Sequence, residues 1–203
     1  MYNIASCLQL LRNIRSVSFA SVDKEGNPHN RMIDVMLVEN EKLYFLTARG
    51  KSFYNQITNN PKVAIVGLSQ DYQTVRLKGI ATKLNDQKKW IDKMFRANKS
   101  MNEIYPGESR YILDAFVVEN GEVEIFDLSV SPIFRQSFQL GSEKVSSKGF
   151  FITEECIQCG VCAKKCPQQT IIKGIPYRIN QEHCLHCGLC YEVCPVKAIR
   201  KTI

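Results

Sequence analysis

Eight of the nine cysteines lie beyond residue 155, in two runs: Cys156-Ile-Gln-Cys159-Gly-Val-Cys162-Ala-Lys-Lys-Cys166-Pro167 and Cys184-Leu-His-Cys187-Gly-Leu-Cys190-Tyr-Glu-Val-Cys194-Pro195. The second run repeats the first 28 residues later, and Gly160/Gly188 and Ile171/Ile199 keep the same step. Three thiolates at three-residue steps wrap three corners of one iron-sulfur cube; the fourth points elsewhere and, in a two-cube arrangement, serves the other. Cys156, Cys159, Cys162 and Cys194 are thus expected to hold one 4Fe-4S cluster, and Cys184, Cys187, Cys190 and Cys166 the second. Such clusters move electrons one at a time. Pro167 and Pro195 end each run by removing a backbone donor. Gly160 and Gly188 let the backbone pass close to a cluster, where amide donors to sulfur raise the reduction potential.

Structural zinc also takes four thiolates, but zinc motifs pair two Cys-x-x-Cys knuckles rather than two four-cysteine runs ending in Cys-Pro. Disulfides are disfavoured in a chain whose start, Met1 to Cys7, lacks the basic and long apolar segments of an export signal. From Thr153 to Lys201 the sequence resembles the bacterial-type two-cluster ferredoxin domain. His183 and His186 flank Cys184, yet every ligand position is already cysteine, so both are read as surface residues or modulators of potential.

Upstream, segments rich in Val, Ile, Phe and Thr alternate with turn clusters: Ser16 to Val22, Asn30 to Glu39, Leu43 to Thr47, Val63 to Ser69, Thr74 to Leu84, Arg110 to Glu119 and Glu122 to Asp127. Their spacing predicts a mainly antiparallel barrel, with Asn120-Gly121 as a two-residue turn. Helices are expected at Tyr2 to Ile14, Lys51 to Asn59 and Asn85 to Ala97. Cys7 borders the apolar stripe of the first and reads as a core residue. Ser129 to Lys148, serine-rich and without sustained periodicity, reads as a connection. The expected organisation is a barrel over residues 1–128, a linker over 129–150 and a cluster module over 151–203. The fold class is therefore mainly β with helices: a split β-barrel followed by a small α+β two-cluster ferredoxin domain.

Several barrel segments resemble the FMN-binding split-barrel family that includes pyridoxamine 5'-phosphate oxidase. They are Asn30-Arg31-Met32, Leu43-Tyr-Phe-Leu-Thr47, Gly50-Lys51-Ser52, Gln56-Ile-Thr-Asn-Asn-Pro61, Val63-Ala-Ile-Val66 and Val75-Arg-Leu-Lys-Gly79, and the likeness covers about Ile4 to Leu128. It implies FMN between two subunits of a homodimer, with Arg31, Met32, Ile33, Asp34, Val35, Met36, Thr47 and Ala48 along the flavin. Arg31, Lys51 and Ser52 would hold the phosphate, since a guanidinium fork, an ammonium and a hydroxyl at a helix start suit an anion. Where the oxidase proper has a basic residue followed by lysine, this chain has Ser52-Phe53, so Lys51 must substitute. The oxidase's C-terminal tryptophan and arginines are replaced by the cysteine module, which argues against pyridoxamine phosphate as substrate.

The formal charge of +7 is spread along the chain. Two clusters at roughly −2 each and a flavin phosphate at about −2 would nearly neutralise it, arguing against nucleic-acid binding. No apolar stretch reaches the ~18 to 20 residues that span a bilayer. A cytoplasmic location is expected. The expected function is an oxidoreductase passing electrons between 4Fe-4S clusters and FMN to reduce a small electrophile. Its redox partner would be a protein or a nicotinamide donor, and no catalytic residue is identified. The alternative is a non-enzymatic electron carrier or redox sensor whose barrel binds flavin, haem or nothing and serves to dimerise and dock.

Overall fold

The computed structural model describes residues 2–142 and 148–202. In chain order the elements are α1 (Ile4–Ile14), β1 (Ser16–Val22), β2 (Pro28–Asp34), β3 (Leu37–Glu39), β4 (Lys42–Ala48), α2 (Ser52–Asn59), β5 (Lys62–Leu68), β6 (Gln73–Lys83), α3 (Gln87–Ala97) and α4 (Met101–Ile104). There follow β7 (Leu113–Asp127), β8 (Phe134–Leu140), β9 (Gly149–Ile152), α5 (Val161–Lys165), β10 (Ile171–Ile172), β11 (Arg178–Ile179), α6 (Leu189–Glu192) and β12 (Ile199–Thr202). Two compact units emerge. One gathers residues 2–70, 74–124 and 137–142, the other 71–73, 125–136 and 148–202.

The first unit is built on a sheet ordered β2-β1-β5-β6-β7-β4-β3, with β8 beside β7. Alternation selects its inner face: on β5, Val63, Ile65 and Gly67 are covered while Lys62, Ala64, Val66 and Leu68 face out. Phe19 of β1, Phe45 of β4 and Phe53 of α2 meet inside, with centroids 5.0 to 6.1 Å apart, and Phe116 of β7 stacks on Phe45 at 5.5 Å. The alternate residues of β4 and β7 form a second core against Ile91, Met94 and Phe95 of α3. This is why nearly all of β4 is covered: it serves two cores. Cys7 is fully buried in α1, and burial pushes its thiol up to about 11.

Three expectations change. Asn30 to Glu39 is two strands, because Val35 and Met36 leave the ladder: their amides reach Arg15 and Tyr44, and their side chains are buried. Arg110 to Ile112 is a 3-10 turn. Asn120-Gly121 is no hairpin but part of the 15-residue β7. There Gly121 passes so close to β6 that a Cβ would lie 2.0 Å from the Lys78 carbonyl, while the Asn120 side chain accepts the Ser142 amide. Within the segment expected as a linker, Phe134–Leu140 forms β8, and residues 143–147 lie outside the described residues.

In the second unit the sequence repeat becomes a structural one. β9 pairs with β12 and β10 with β11, so each half completes the other's hairpin. Positive φ angles recur at the 28-residue step: Gln158 and His186 (60° and 56°), Gly160 and Gly188 (73° and 84°), Gln169 and Lys197 (both 54°). Around Cys162 and Cys190, the module's small core contains Phe150, Ile171 and Ile199.

Candidate cofactor sites

The short helices α5 and α6 each begin at a left-handed glycine, which turns the chain sharply enough to bring successive cysteines to one side. A cavity of about 330 Å³, counted to its open mouth, is lined by Cys156, Cys159, Cys162 and Cys194. A second, of about 340 Å³, is lined by Cys166, Cys184, Cys187 and Cys190. The fourth cysteine of each run thus lines the other run's cavity, because β9 pairs with β12 rather than with its own half. Gly160 and Gly188 stand against aromatic rings: a Cβ would come within 3.2 Å of the Tyr177 hydroxyl and of Phe150 respectively.

The sulfurs have polar neighbours at equivalent places in the repeat. The Ala198 amide donates to Cys194 Sγ at 3.3 Å, and the Thr170 hydroxyl lies 3.6 Å from Cys166 Sγ. The His186 amide donates to Cys184 Sγ at 3.3 Å. Burial raises the Cys162 and Cys184 thiols and pushes Cys190 up to about 11, and neighbouring cysteines add to each shift. For Cys166 burial acts upward too, but the amide and hydroxyl of Thr170 with the amides of Gln168 and Gln169 outweigh it, lowering its pKa. Four dehydrated thiolates repel one another, so the donor set fits a polycationic iron-sulfur core that offsets much of their charge. Neither histidine is a freely exposed surface group: both are half-buried, and His183 Nδ1 lies 2.8 Å from the Ile133 carbonyl.

In the barrel unit, Arg31 is paired with Phe19 across β1 and β2 and turns inward. Its Nη1 donates to the Phe19 carbonyl (3.1 Å) and Ser21 Oγ (2.7 Å), its Nη2 to Gln56 Oε1 (2.8 Å), and the guanidinium lies 4.5 Å from the Phe53 ring centre. Of the other residues expected beside a flavin, Met32 is exposed, Ile33 half-buried, and Asp34 held by Arg15 and Ser16. Val35, Met36 and Ala48 are buried. Thr47 is 2% exposed, and its Oγ1 has no hydrogen-bond partner among the described residues. Lys51 and Ser52 are exposed where α2 begins, and no side chain caps that helix. An orphaned hydroxyl and an uncapped helix start fit an anionic cofactor; Arg31 fits with the two of its five donors that its internal partners leave.

One cluster escaped sequence reasoning. Asp114, opposite Thr47 in the β4–β7 register, is 4% exposed and accepts from Arg49 (3.1 Å), Lys83 (2.6 Å) and the Tyr54 hydroxyl (2.9 Å). Burial acts to raise its pKa, but the bonds from Lys83, Tyr54 and Arg49 prevail and lower it. The available signal was a lone carboxylate in the apolar run Ile112 to Val118, which a fold buries only with partners.

A family model described as pyridoxamine 5'-phosphate oxidase matches residues 5–124, and one described as a 4Fe-4S dicluster domain matches 148–195. No curated protein sequence matches the chain. Among solved structures, a NimC/NimA family protein from Clostridium acetobutylicum is similar at 22% identity with a TM-score of 0.57, covering 68% of this chain and 92% of its own. A pyridoxamine 5'-phosphate oxidase-related, FMN-binding protein from Nostoc punctiforme is similar at 18% identity and 0.50, covering 71% and 92%. A heme-binding protein from Mycobacterium smegmatis follows at 12% and 0.54, covering 68% and 59%. These likenesses establish the fold, and with most of the barrel unit inside the first family match, the chain belongs to the pyridoxamine 5'-phosphate oxidase family and carries a 4Fe-4S dicluster domain behind it.

Proposed function

We propose that the protein is an oxidoreductase that binds FMN in its barrel and two 4Fe-4S clusters in its cysteine module, and passes electrons between them to reduce a small electrophile. The observation that carries it is the pair of cavities, each lined by three cysteines of one run and the fourth of the other. Among the described residues no three His, Cys, Asp or Glu side chains converge as donors to a single ion. Thiols around a cavity suit a cube, whose corners are spread, better than zinc. Cys156, Cys159, Cys162 and Cys194 ligate one cluster; Cys184, Cys187, Cys190 and Cys166 ligate the other.

Bound FMN would supply the exchange between two-electron substrates and one-electron carriers. The chain's part is to hold it: Lys51, Ser52 and Arg31 at the phosphate, Thr47 through its unpaired hydroxyl, and the backbone from Arg31 to Met36 and at Ala48 along the ring. Homodimerisation is supported by the outer sheet face, where Met32 and Val66 flank Ser18 in register and are 63% and 40% exposed. No described helix is long and apolar enough to cross a membrane. Reduced thiols suit the cytoplasm.

Protein prepared without oxygen should contain about eight iron and eight sulfide per chain and show flavin bands beside broad cluster absorbance. It should turn over quinones or nitroaromatics with reduced ferredoxin or a nicotinamide donor. Stoichiometric zinc without sulfide would refute the cluster reading. A second reading, a carrier or sensor whose barrel serves to dimerise and dock, is favoured by the inward engagement of Arg31. Cluster absorbance without flavin bands or turnover would select it.

A further inference from the structure

Asp114 holds more cation than its burial requires. A carboxylate 4% exposed is satisfied by one cation and a hydroxyl, yet its Oδ1 takes Arg49 at 3.1 Å while its Oδ2 takes both Lys83 at 2.6 Å and the Tyr54 hydroxyl at 2.9 Å. The group therefore keeps a net charge of +1, and exposed Lys51, two residues after Arg49, raises it to +2. Neither cation is used up. Arg49 spends only Nη1, on Asp114 and the Leu113 carbonyl, and its Nε and Nη2 have no hydrogen bond among the described residues. Lys83 Nζ, which also lies 3.2 Å from the Tyr54 hydroxyl, has a third proton to donate. Both side chains are 45% exposed, so the unspent donors are accessible.

Two neutral donor groups lie at the same place. Thr47 stands directly opposite Asp114 in the β4–β7 register, and such partners project from one face of the sheet with Cβ atoms about 4.5 to 5.5 Å apart. Its hydroxyl is buried and without a partner among the described residues. The Tyr54 bond brings the first turn of α2 onto the same carboxylate, and that turn starts without a side-chain cap, which leaves its first amides to a ligand or to water. Bracing the barrel accounts for one cation on Asp114. It does not account for a second cation, an orphaned hydroxyl and an open helix start at one spot.

The charge selects the ligand. A phosphate monoester carries about −1.5 to −2 at neutral pH and accepts through three oxygens, which matches a charge of +2 on several donors; a carboxylate would leave half of that charge unopposed.

We infer that Arg49 and Lys83, both held by Asp114, are the cationic contacts of a phosphate-monoester site, with Thr47 and the start of α2 as its neutral donors. The phosphate belongs to the flavin or to a phosphorylated substrate, and the first source rests on the FMN reading above. With Ser52-Phe53 in place of a basic pair, the chain draws these cations from β6 and from the turn after β4.

The test uses the full chain with its clusters. Flavin-free protein is titrated with FMN and riboflavin, and FMN-loaded protein with phenyl phosphate. Arg49→Gln and Lys83→Met each leave Asp114 one cation and Tyr54, so the barrel should stay folded, as Trp90 fluorescence reports. Lys24→Gln, which removes an exposed cation from the β1–β2 turn, is the control. Wild type should prefer FMN to riboflavin, and Arg49→Gln and Lys83→Met should each shrink that preference about tenfold. Arg49→Lys should restore part of it, and Lys24→Gln should leave it intact. If the preference survives both substitutions while phenyl phosphate binding falls about tenfold in both, the site serves a substrate's phosphate. No loss for either ligand, or an equal loss in Lys24→Gln, would overturn the site. Wild-type protein that binds neither flavin refutes the FMN reading alone, and phenyl phosphate titrated into that same protein and its two variants then decides the site.

Discussion

Replacing Arg31 by alanine separates two roles that its geometry combines. Three of its five N–H donors already serve the Phe19 carbonyl, Ser21 and Gln56, so only the remaining two can make a charge-assisted contact with a flavin phosphate. Such a contact is worth about 1.5 to 3 kcal/mol, or roughly ten- to a hundredfold in FMN affinity. The substitution also withdraws a donor from Gln56, 6% exposed, and a cation from the face of Phe53. Gln56 keeps its 2.7 Å bond from Ser21, which limits the cost to the barrel to about 1 to 3 kcal/mol. The two effects part when apo-protein is titrated with FMN and with riboflavin, which lacks the phosphate. Stability is followed by the fluorescence of the single tryptophan, Trp90, stacked on Tyr44 at 4.7 Å in the barrel unit. Wild type should prefer FMN, and Arg31→Ala should shrink that preference while riboflavin affinity and iron content hold. Equal wild-type affinity for both flavins would show that no phosphate site exists. A preference unchanged in the variant, with the barrel destabilised, would make Arg31 a purely structural brace.

Asp114→Asn should destabilise the barrel by about 2 kcal/mol at pH 7, less than a fully buried pair because Arg49 and Lys83 are each 45% exposed. Because folding lowers the pKa of Asp114, its contribution is complete above the ordinary carboxylate value and is lost as pH falls through the folded one. The gap in Trp90 unfolding midpoint should therefore close in acid, and a gap constant down to pH ~2 would contradict the assignment. Cys166→Ala should harm mainly the cluster of the later run and Cys194→Ala that of the earlier one, in spectroscopy that resolves the two; damage to each residue's own run would refute crossed ligation. Gly121→Ala, with its Cβ driven against the Lys78 carbonyl, should lower the Trp90 midpoint by roughly 1 to 3 kcal/mol of stability. Chelating the iron should melt the cysteine module while leaving Trp90 emission native.

What the sequence made legible followed from how local each signal is. Strands β1, β4, β5 and β6 could be read to within a residue or two because their β-branched and aromatic composition and flanking turns are written in the strand itself. The break at Val35-Met36 could not, since its cause is distant: the Arg15 carbonyl, the Tyr44 carbonyl and the Arg12 guanidinium. Asn120-Gly121 has the composition of a hairpin turn, and only the neighbouring β6 explains why the glycine is needed in a continuous strand. At the candidate sites the same rule holds. The cysteine spacing names its own cavities, whereas Arg49, Tyr54, Lys83 and Asp114 come from the turn after β4 and from α2, β6 and β7, and share no motif. Arg31 was legible as a functional candidate but not as an inward-facing one, because its partners Ser21 and Gln56 lie on β1 and α2.

Part of the module's core is made of its ligands, which ties cofactor to fold more closely than in the barrel. Around Phe150, Ile171 and Ile199 the remaining packed positions include Cys162 and Cys190, with Cys166 and Cys194 at the edge. Fifty-odd residues with strands of two to four residues and four- or five-residue helices bury too little apolar surface to hold themselves together unaided. The thiols contribute their packing only while neutral or neutralised, and burial disfavours the bare thiolate at Cys162, Cys184 and Cys190. Iron resolves the conflict by binding sulfur as thiolate and offsetting part of its charge in place, so ligation and folding of the module become one equilibrium. The barrel, with the separate aromatic core of Phe19, Phe45, Phe53 and Phe116, has no such dependence. The two units should thus lose structure under different insults: the module to oxidation or chelation, the barrel to loss of packing.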